Sequence, residues 1–141
     1  MNRDQIKEIL PHREPMLLVD EVEKLSETEA VGLYTVRGDE FFLQGHFPDN
    51  PVVPGVIQCE IIAQSACVLF VGKLDGEHSV LPVYAGMNKV KFRRQIKPGD
   101  KMILKTQIIS QRAPFYIIKG CILVDDKVCM EGEFTVALTK A

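Results

Sequence analysis

Residues Gly55 to Leu74 read GVIQCEIIAQSACVLFVGKL, a run of about 20 residues that enters straight after Pro54. At 1.5 Å per residue the run predicts a helix of roughly 30 Å. Its apolar residues fall on nearly every face, which predicts a helix enclosed by other structure rather than one lying half in solvent. After Asp75-Gly76 the pattern changes to a period of two. That alternation predicts strands at Val80 to Phe92, Lys101 to Arg112, Phe115 to Val124 and Lys127 to Leu138. Turns are expected at Lys97-Pro98-Gly99-Asp100, Ala113-Pro114 and Asp125-Asp126. Upstream, Arg3 to Leu10 reads as a short amphipathic helix stopped by Pro11, and Met16 to Val22 and Glu29 to Arg37 read as strands. One buried helix against about six mostly antiparallel strands makes an α+β architecture, with the sheet wrapped around the helix.

The chain has 141 residues, 46% hydrophobic and 26% charged, which fits one globular domain over residues 1–141 and excludes disordered or fibrous classes. A chain this short buries a real core but has no room for a large enclosed site plus a cofactor domain, so a deep pocket calls for a second copy. The net charge of -2 gives no sign of a nucleic-acid binder. Cys59, Cys67, Cys121 and Cys129 lack C-x-x-C spacing and a partnering His, so they read as small core residues in a reducing compartment rather than as zinc ligands. The start MNRDQIKEIL lacks a signal peptide's apolar stretch. The most apolar segment, Val52 to Val71, carries Gln58, Glu60 and Gln64, a poor membrane span. A cytoplasmic protein is expected.

Of three histidines, His12 lies in PHREP before a strand and His78 in the polar loop DGEHS. His46 stands apart, in GHFPDNPVVPG, a loop stiffened by prolines that feeds the helix. Glu60 is the only acid inside that helix, and its burial is expensive enough to suggest a purpose. The plainer alternative is a buried network with Gln64, its i+4 neighbour. Gly55 places an orphan N–H at the positive end of the helix dipole, suited to an oxyanion, although Pro-Gly also serves as a plain tight turn. An imidazole, a carboxyl and an oxyanion donor together fit proton abstraction beside a carbonyl with acid assistance to a leaving group. No nucleotide loop is present, and no Ser, Cys or Lys is set up as a nucleophile.

Three stretches in this order carry a resemblance: LPHREPMLLVDEV (Leu10 to Val22), GHFPDNPVVPGVIQCEIIAQ (Gly45 to Gln64) and YAGMNKVKFRRQIKPGD (Tyr84 to Asp100). They resemble the (3R)-hydroxyacyl-acyl-carrier-protein dehydratases of bacterial type II fatty acid synthesis, the FabZ type. The resemblance implies a hot-dog fold, a curved antiparallel sheet around one long central helix. It implies a homodimer with shared active sites, often a hexamer built as a trimer of dimers. It makes His46 the catalytic base, Glu60 the acid contributed by the partner subunit, and Gly55 the N–H donor to the thioester carbonyl, with Phe47 and Pro48 keeping the His46 loop rigid. No metal or redox cofactor is implied. The substrate arrives on the phosphopantetheine arm of an acyl carrier protein, through an apolar tunnel expected between the helix and the Val80 to Phe92 strand.

Such a carrier is acidic, and Lys89, Lys91, Arg93, Arg94 and Lys97 place five bases within nine positions with no acid among them. They read as a docking patch, or more plainly as the solvent face of a strand. Four residues depart from the family pattern: Asn88 for Asp, Gln95 for Pro, Glu14 for a residue that is often aromatic, and Val53 for Met. They bear on chain length and mouth geometry and leave the His–Glu pair alone. A dehydratase that also isomerises trans-2 to cis-3 enoyl chains is the nearest alternative, against which Glu60 stands where the bifunctional FabA type has Asp. A hot-dog thioesterase and a non-catalytic acyl-thioester sensor are further alternatives.

Overall fold

The computed structural model describes residues 1–70 and 80–140. Its elements are α1 (Arg3–Lys7), β1 (Glu21–Lys24), β2 (Glu29–Thr35), α2 (Gly55–Ala66), β3 (Val80–Phe92), β4 (Lys101–Arg112), β5 (Phe115–Val124) and β6 (Lys127–Lys140). The six strands form one antiparallel sheet in the order β1-β2-β4-β5-β6-β3. The sheet curves around α2, so the fold is the α+β hot-dog arrangement. The β5–β6 turn is made at Asp125 and Asp126, whose φ angles of 51° and 63° give the twist that a two-residue hairpin needs.

The buried face of α2 presents Ile61, Ile62 and Ala66, which share one core with Leu104, Ile118 and Phe134 of the sheet. The helix comes close because two strand positions lack side chains. A Cβ on Gly120 would stand 2.7 Å from Cγ2 of Ile62, and one on Gly32 would overlap Ser65.

Three sequence expectations need correction. The α-helix ends at Ala66, giving 12 residues, and Cys67–Phe70 continue as a 3-10 turn. Cys67 already donates its N–H three residues back, to Gln64 O. The predicted extension to Leu74, the Asp75-Gly76 turn and the His78 loop lie outside the described residues. The helix is also not enclosed within one chain. Val56 is 77% exposed, and Glu60 and Ala63, on the same stripe, are only half-buried. Upstream, strand pairing begins at Glu21, not Met16. Leu17, Leu18 and Val19 are nonetheless fully buried, and Leu18 gives its N–H to the Gln64 side chain rather than to a ladder.

Among the smaller differences, α1 stops at Lys7, and β2 at Thr35. Cys121 is half-exposed, while the other three cysteines are buried and all four are free. Among the described residues no helix is long and apolar enough to cross a membrane.

Candidate active site

His46 sits in the loop between a 3-10 turn at Phe41–Leu43 and the start of α2. Its main chain donates to Leu43 O at 3.2 Å and accepts from Val52 N–H at 2.9 Å. Its ring Nδ1 meets Val52 O at 3.2 Å. A carbonyl only accepts, so Nδ1 carries the hydrogen and, in the neutral ring, Nε2 keeps a free lone pair. That is the tautomer a base needs. The His46–Phe47 peptide is cis, and the two rings stack with centroids 4.4 Å apart. Phe47 and Asn50 exchange main-chain hydrogen bonds at 3.2 and 3.1 Å, closing a tight turn around Pro48 and Asp49.

His46 opens into a groove of about 580 Å³ whose walls include Gly55, Val56, Gln58, Phe92 and Arg94. Gly55 is the first residue of α2, and its N–H has no backbone acceptor among the described residues. The Phe92 ring lies directly over it, since a Cβ added to Gly55 would stand 2.8 Å from Phe92 Cζ. Gln58 donates to Val53 O at 3.1 Å, and its buried Oε1 has no hydrogen-bond partner among the described residues.

Glu60 lies further along α2 in a separate cavity of about 50 Å³, with His12, Ala63, Cys67, Val83 and Tyr84 among its lining residues. Its Oε1 accepts from Gln64 Nε2 at 3.2 Å and lies 3.2 Å from His12 Nε2. Burial pushes its pKa up, but the bonds from His12 and Gln64 outweigh that and hold it below the ordinary carboxylate value. The Tyr84 hydroxyl donates to Cys59 O, and burial pushes its pKa well above the usual phenol value. Burial likewise pushes the Cys67 thiol up to about 12.

Within one chain, then, His46 and Gly55 share a groove, while Glu60 stands in a different cavity. The hydrogen bond to Gln64 that the plainer reading of Glu60 calls for is present, and it is partly buried. The contact of His12 with Glu60 carries no sequence signal, because the two are far apart along the chain. The basic residues Lys89, Lys91, Arg93, Arg94 and Lys97 are all exposed, and Arg93 and Arg94 border the His46 groove. The patch is less uniformly basic than the chain order suggests, since Glu131 of β6 pairs with Arg93 at 2.6 Å. Lys89 sits in an irregular stretch of β3 with φ of 54°. Glu14, the departure near the start, takes Lys7 at 2.9 Å and Arg3 at 3.1 Å, a use no aromatic side chain has.

A helix cradled in a curved antiparallel sheet, with its N-terminus beside a histidine loop and a groove, defines a protein of the hot-dog class. A FabA-like domain matches residues 10–133. The chain is 38% identical over 141 residues to a 3-hydroxyacyl-acyl-carrier-protein dehydratase FabZ of Petrotoga mobilis, covering 100% of both. It belongs to the FabA-like family and, within it, to the FabZ type. In shape it is similar to the dehydratase heterocomplex ApeI:P from Xenorhabdus doucetiae, with a TM-score of 0.80 and 21% identity over 94% of this chain and 89% of that one. A mutant thioesterase from Pseudomonas aeruginosa matches with a TM-score of 0.72 and 12% identity, over 100% and 96% of the two chains. The last pair shows that this fold does not by itself choose between dehydration and hydrolysis.

Proposed function

We propose that this chain is a single hot-dog domain that dehydrates (3R)-hydroxyacyl chains carried on acyl carrier protein to the trans-2-enoyl thioester, in fatty acid biosynthesis. The observation that carries the reading is the His46 ring, pinned through Nδ1 to Val52 O with Nε2 left as a base, in one groove with the Gly55 N–H, which has no backbone acceptor among the described residues. His46 Nε2 takes the proton from the carbon next to the thioester carbonyl. The Gly55 N–H, at the positive end of α2, stabilises the enolate oxygen. The enolate electrons then form the new double bond as the C–O bond breaks, and the departing oxygen takes a proton from Glu60 of the partner subunit and leaves as water. His46 ends protonated and the carboxyl ionised, and solvent resets both. Burial is the largest influence on Glu60, so further loss of water on dimer formation and acyl binding moves it toward the protonated form an acid requires.

The dimer is supported by what one chain leaves open. β3 is a 13-residue edge strand with Val83 and Met87 exposed, and Val56, Phe47 and Phe92 add uncovered apolar surface near the groove. A long apolar edge of this kind invites a partner strand. A second copy would bring its Glu60 to the first copy's His46. Phe47 and Pro48 hold that histidine's loop. Lys89, Lys91, Arg94 and Lys97, with Arg93 at the rim, steer the acidic carrier toward the groove. The same reading places the protein in the cytoplasm and extends to a hexamer of three dimers, which a solution mass of six times 15.8 kDa would establish.

The test is mass spectrometry of (3R)-hydroxyacyl carrier protein incubated with the protein, with the released chains chromatographed. Loss of one water, giving the trans-2 product, is the expected result. An untouched hydroxyacyl group would contradict the reading, release of free acid would point to a thioesterase, and a cis-3 product would add isomerisation.

A further inference from the structure

Glu60 is held by two donors that reach it from different parts of the chain, and both choose the same oxygen. Gln64 has its amide orientation set by the main chain: its Oε1 accepts from Leu18 N–H at 2.8 Å and its Nε2 donates to Met16 O at 2.7 Å. The second hydrogen of that Nε2 therefore points at Glu60 Oε1, 3.2 Å away. His12 Nε2 lies 3.2 Å from the same Oε1. The other ring nitrogen, Nδ1, is buried and meets no hydrogen-bond partner among the described residues. A hydrogen on Nδ1 would be a buried, unpaired donor, which is costly, whereas a bare lone pair there costs less. That disfavours the Nδ1–H tautomer of the neutral ring and leaves His12 donating from Nε2.

Among the described residues the rest of the cavity lining offers no comparable donor. Cys67 donates its thiol to Ala63 O, Tyr84 donates its hydroxyl to Cys59 O, and burial keeps both protonated. Ala63, Val83 and Val136 are apolar. Among the described residues Oε2 of Glu60 has no donor.

We propose that His12 is a positioning residue for Glu60: together with Gln64 it occupies Oε1, so that the proton of the carboxylic acid resides on Oε2 and faces the departing hydroxyl. This rests on the acid role proposed for Glu60 above. His12 itself neither gives nor takes a proton in the reaction. Its ring fixes which oxygen is the donor and which rotamer carries it, an orienting role of the kind that acid catalysis depends on.

The experiment compares wild type, His12→Ala and His12→Gln as purified full-length protein, alone and in a Glu60→Gln background, on carrier-linked (3R)-hydroxyacyl substrate. His12→Ala should lower kcat on the order of 10–100-fold with KM nearly unchanged. His12→Gln, whose Nε2 can stand where the ring Nε2 stood, should recover most of it. Removing the donor also raises the pKa of Glu60, so the alkaline limb of the kcat profile should move to higher pH in His12→Ala. In the Glu60→Gln background His12→Ala should cost nothing further. An equal loss in that background, or an unmoved pH limb, would overturn the proposal in favour of a merely structural histidine. Independently of activity, ¹⁵N NMR of the wild-type imidazoles should find a hydrogen on His12 Nε2. A bare Nε2, as in the Nδ1–H tautomer, would overturn the assignment even in an active enzyme. If wild type fails to dehydrate while His12 shows the expected Nε2 hydrogen, the function proposed for the site falls and the geometry at His12 stands.

Discussion

At the start of α2 the imidazole of His46 is held by Val52, six residues on in the same loop, while further along the helix the carboxylate of Glu60 is held by His12 and, through Gln64, by Met16 and Leu18 from the far upstream segment. The first arrangement is closed mainly by local backbone and prolines. The second exists only once the chain has folded and the upstream segment has docked on the helix. In the proposed enzyme the base is thus built from one loop, whereas the proton donor depends on tertiary structure and on a second subunit as well.

That contrast can be broken at either end. The largest effects belong to the reacting groups. His46→Ala and Glu60→Gln should each reduce turnover on the order of 10²–10⁴-fold while leaving the thermal transition nearly unchanged, as steady-state kinetics and calorimetry on the same samples would show. Gln64→Leu separates the two ends. It removes the partners of Leu18 N–H and Met16 O and should destabilise the fold by about 1–3 kcal/mol in urea unfolding, with His46 keeping its bond to Val52. An equally stable Gln64→Leu protein would mean the upstream segment docks by apolar packing alone.

Asp20 anchors the same upstream segment. It takes Arg3 at 2.9 Å, Arg37 at 2.6 Å and the N–H of Thr35 at 2.9 Å. Burial pushes its pKa up, yet these bonds outweigh it and hold the carboxyl below its ordinary 3.8. A depressed carboxylate stabilises the fold fully above its unfolded value, and that contribution is lost as pH falls through the lower folded value. Asp20→Asn should cost about 1–2 kcal/mol at neutral pH and make the remaining stability less steep in acid. An unchanged acid profile would assign the acid sensitivity to other carboxyls. The smallest effect is expected at the rim, where Arg94→Glu should lower kcat/KM several-fold for the carrier-linked substrate, more at low salt, and little for a short free thioester.

The difference between the two ends also explains what the sequence made legible. The bounds of β3, β4 and β5 follow from alternation and turn chemistry, both of them local. His46 and Gly55 were readable for the same reason, because proline-rich punctuation marks the loop and Pro54 marks the helix start. What escaped depends on distant neighbours. Gly32 and Gly120 read as unremarkable strand residues until α2 is laid against them. Met16 to Val19 look like a strand, yet a glutamine from the helix takes the place of a ladder partner. The exposure of Val56 on a helix that reads as buried on all sides reflects surface that a single chain does not cover.

In the proposed enzyme, one active site needs His46 from one protomer and Glu60 from the partner subunit. The direct measurement is to unfold and refold His46→Ala and Glu60→Gln chains together in equal amounts and assay dehydration. Half of the dimers formed would be mixed, each with one wild-type pair, so activity should return to about a quarter of the wild-type value. If the mixture stays as inactive as either parent while mixed dimers are shown to form, the two residues do not meet across an interface, and the shared site is wrong.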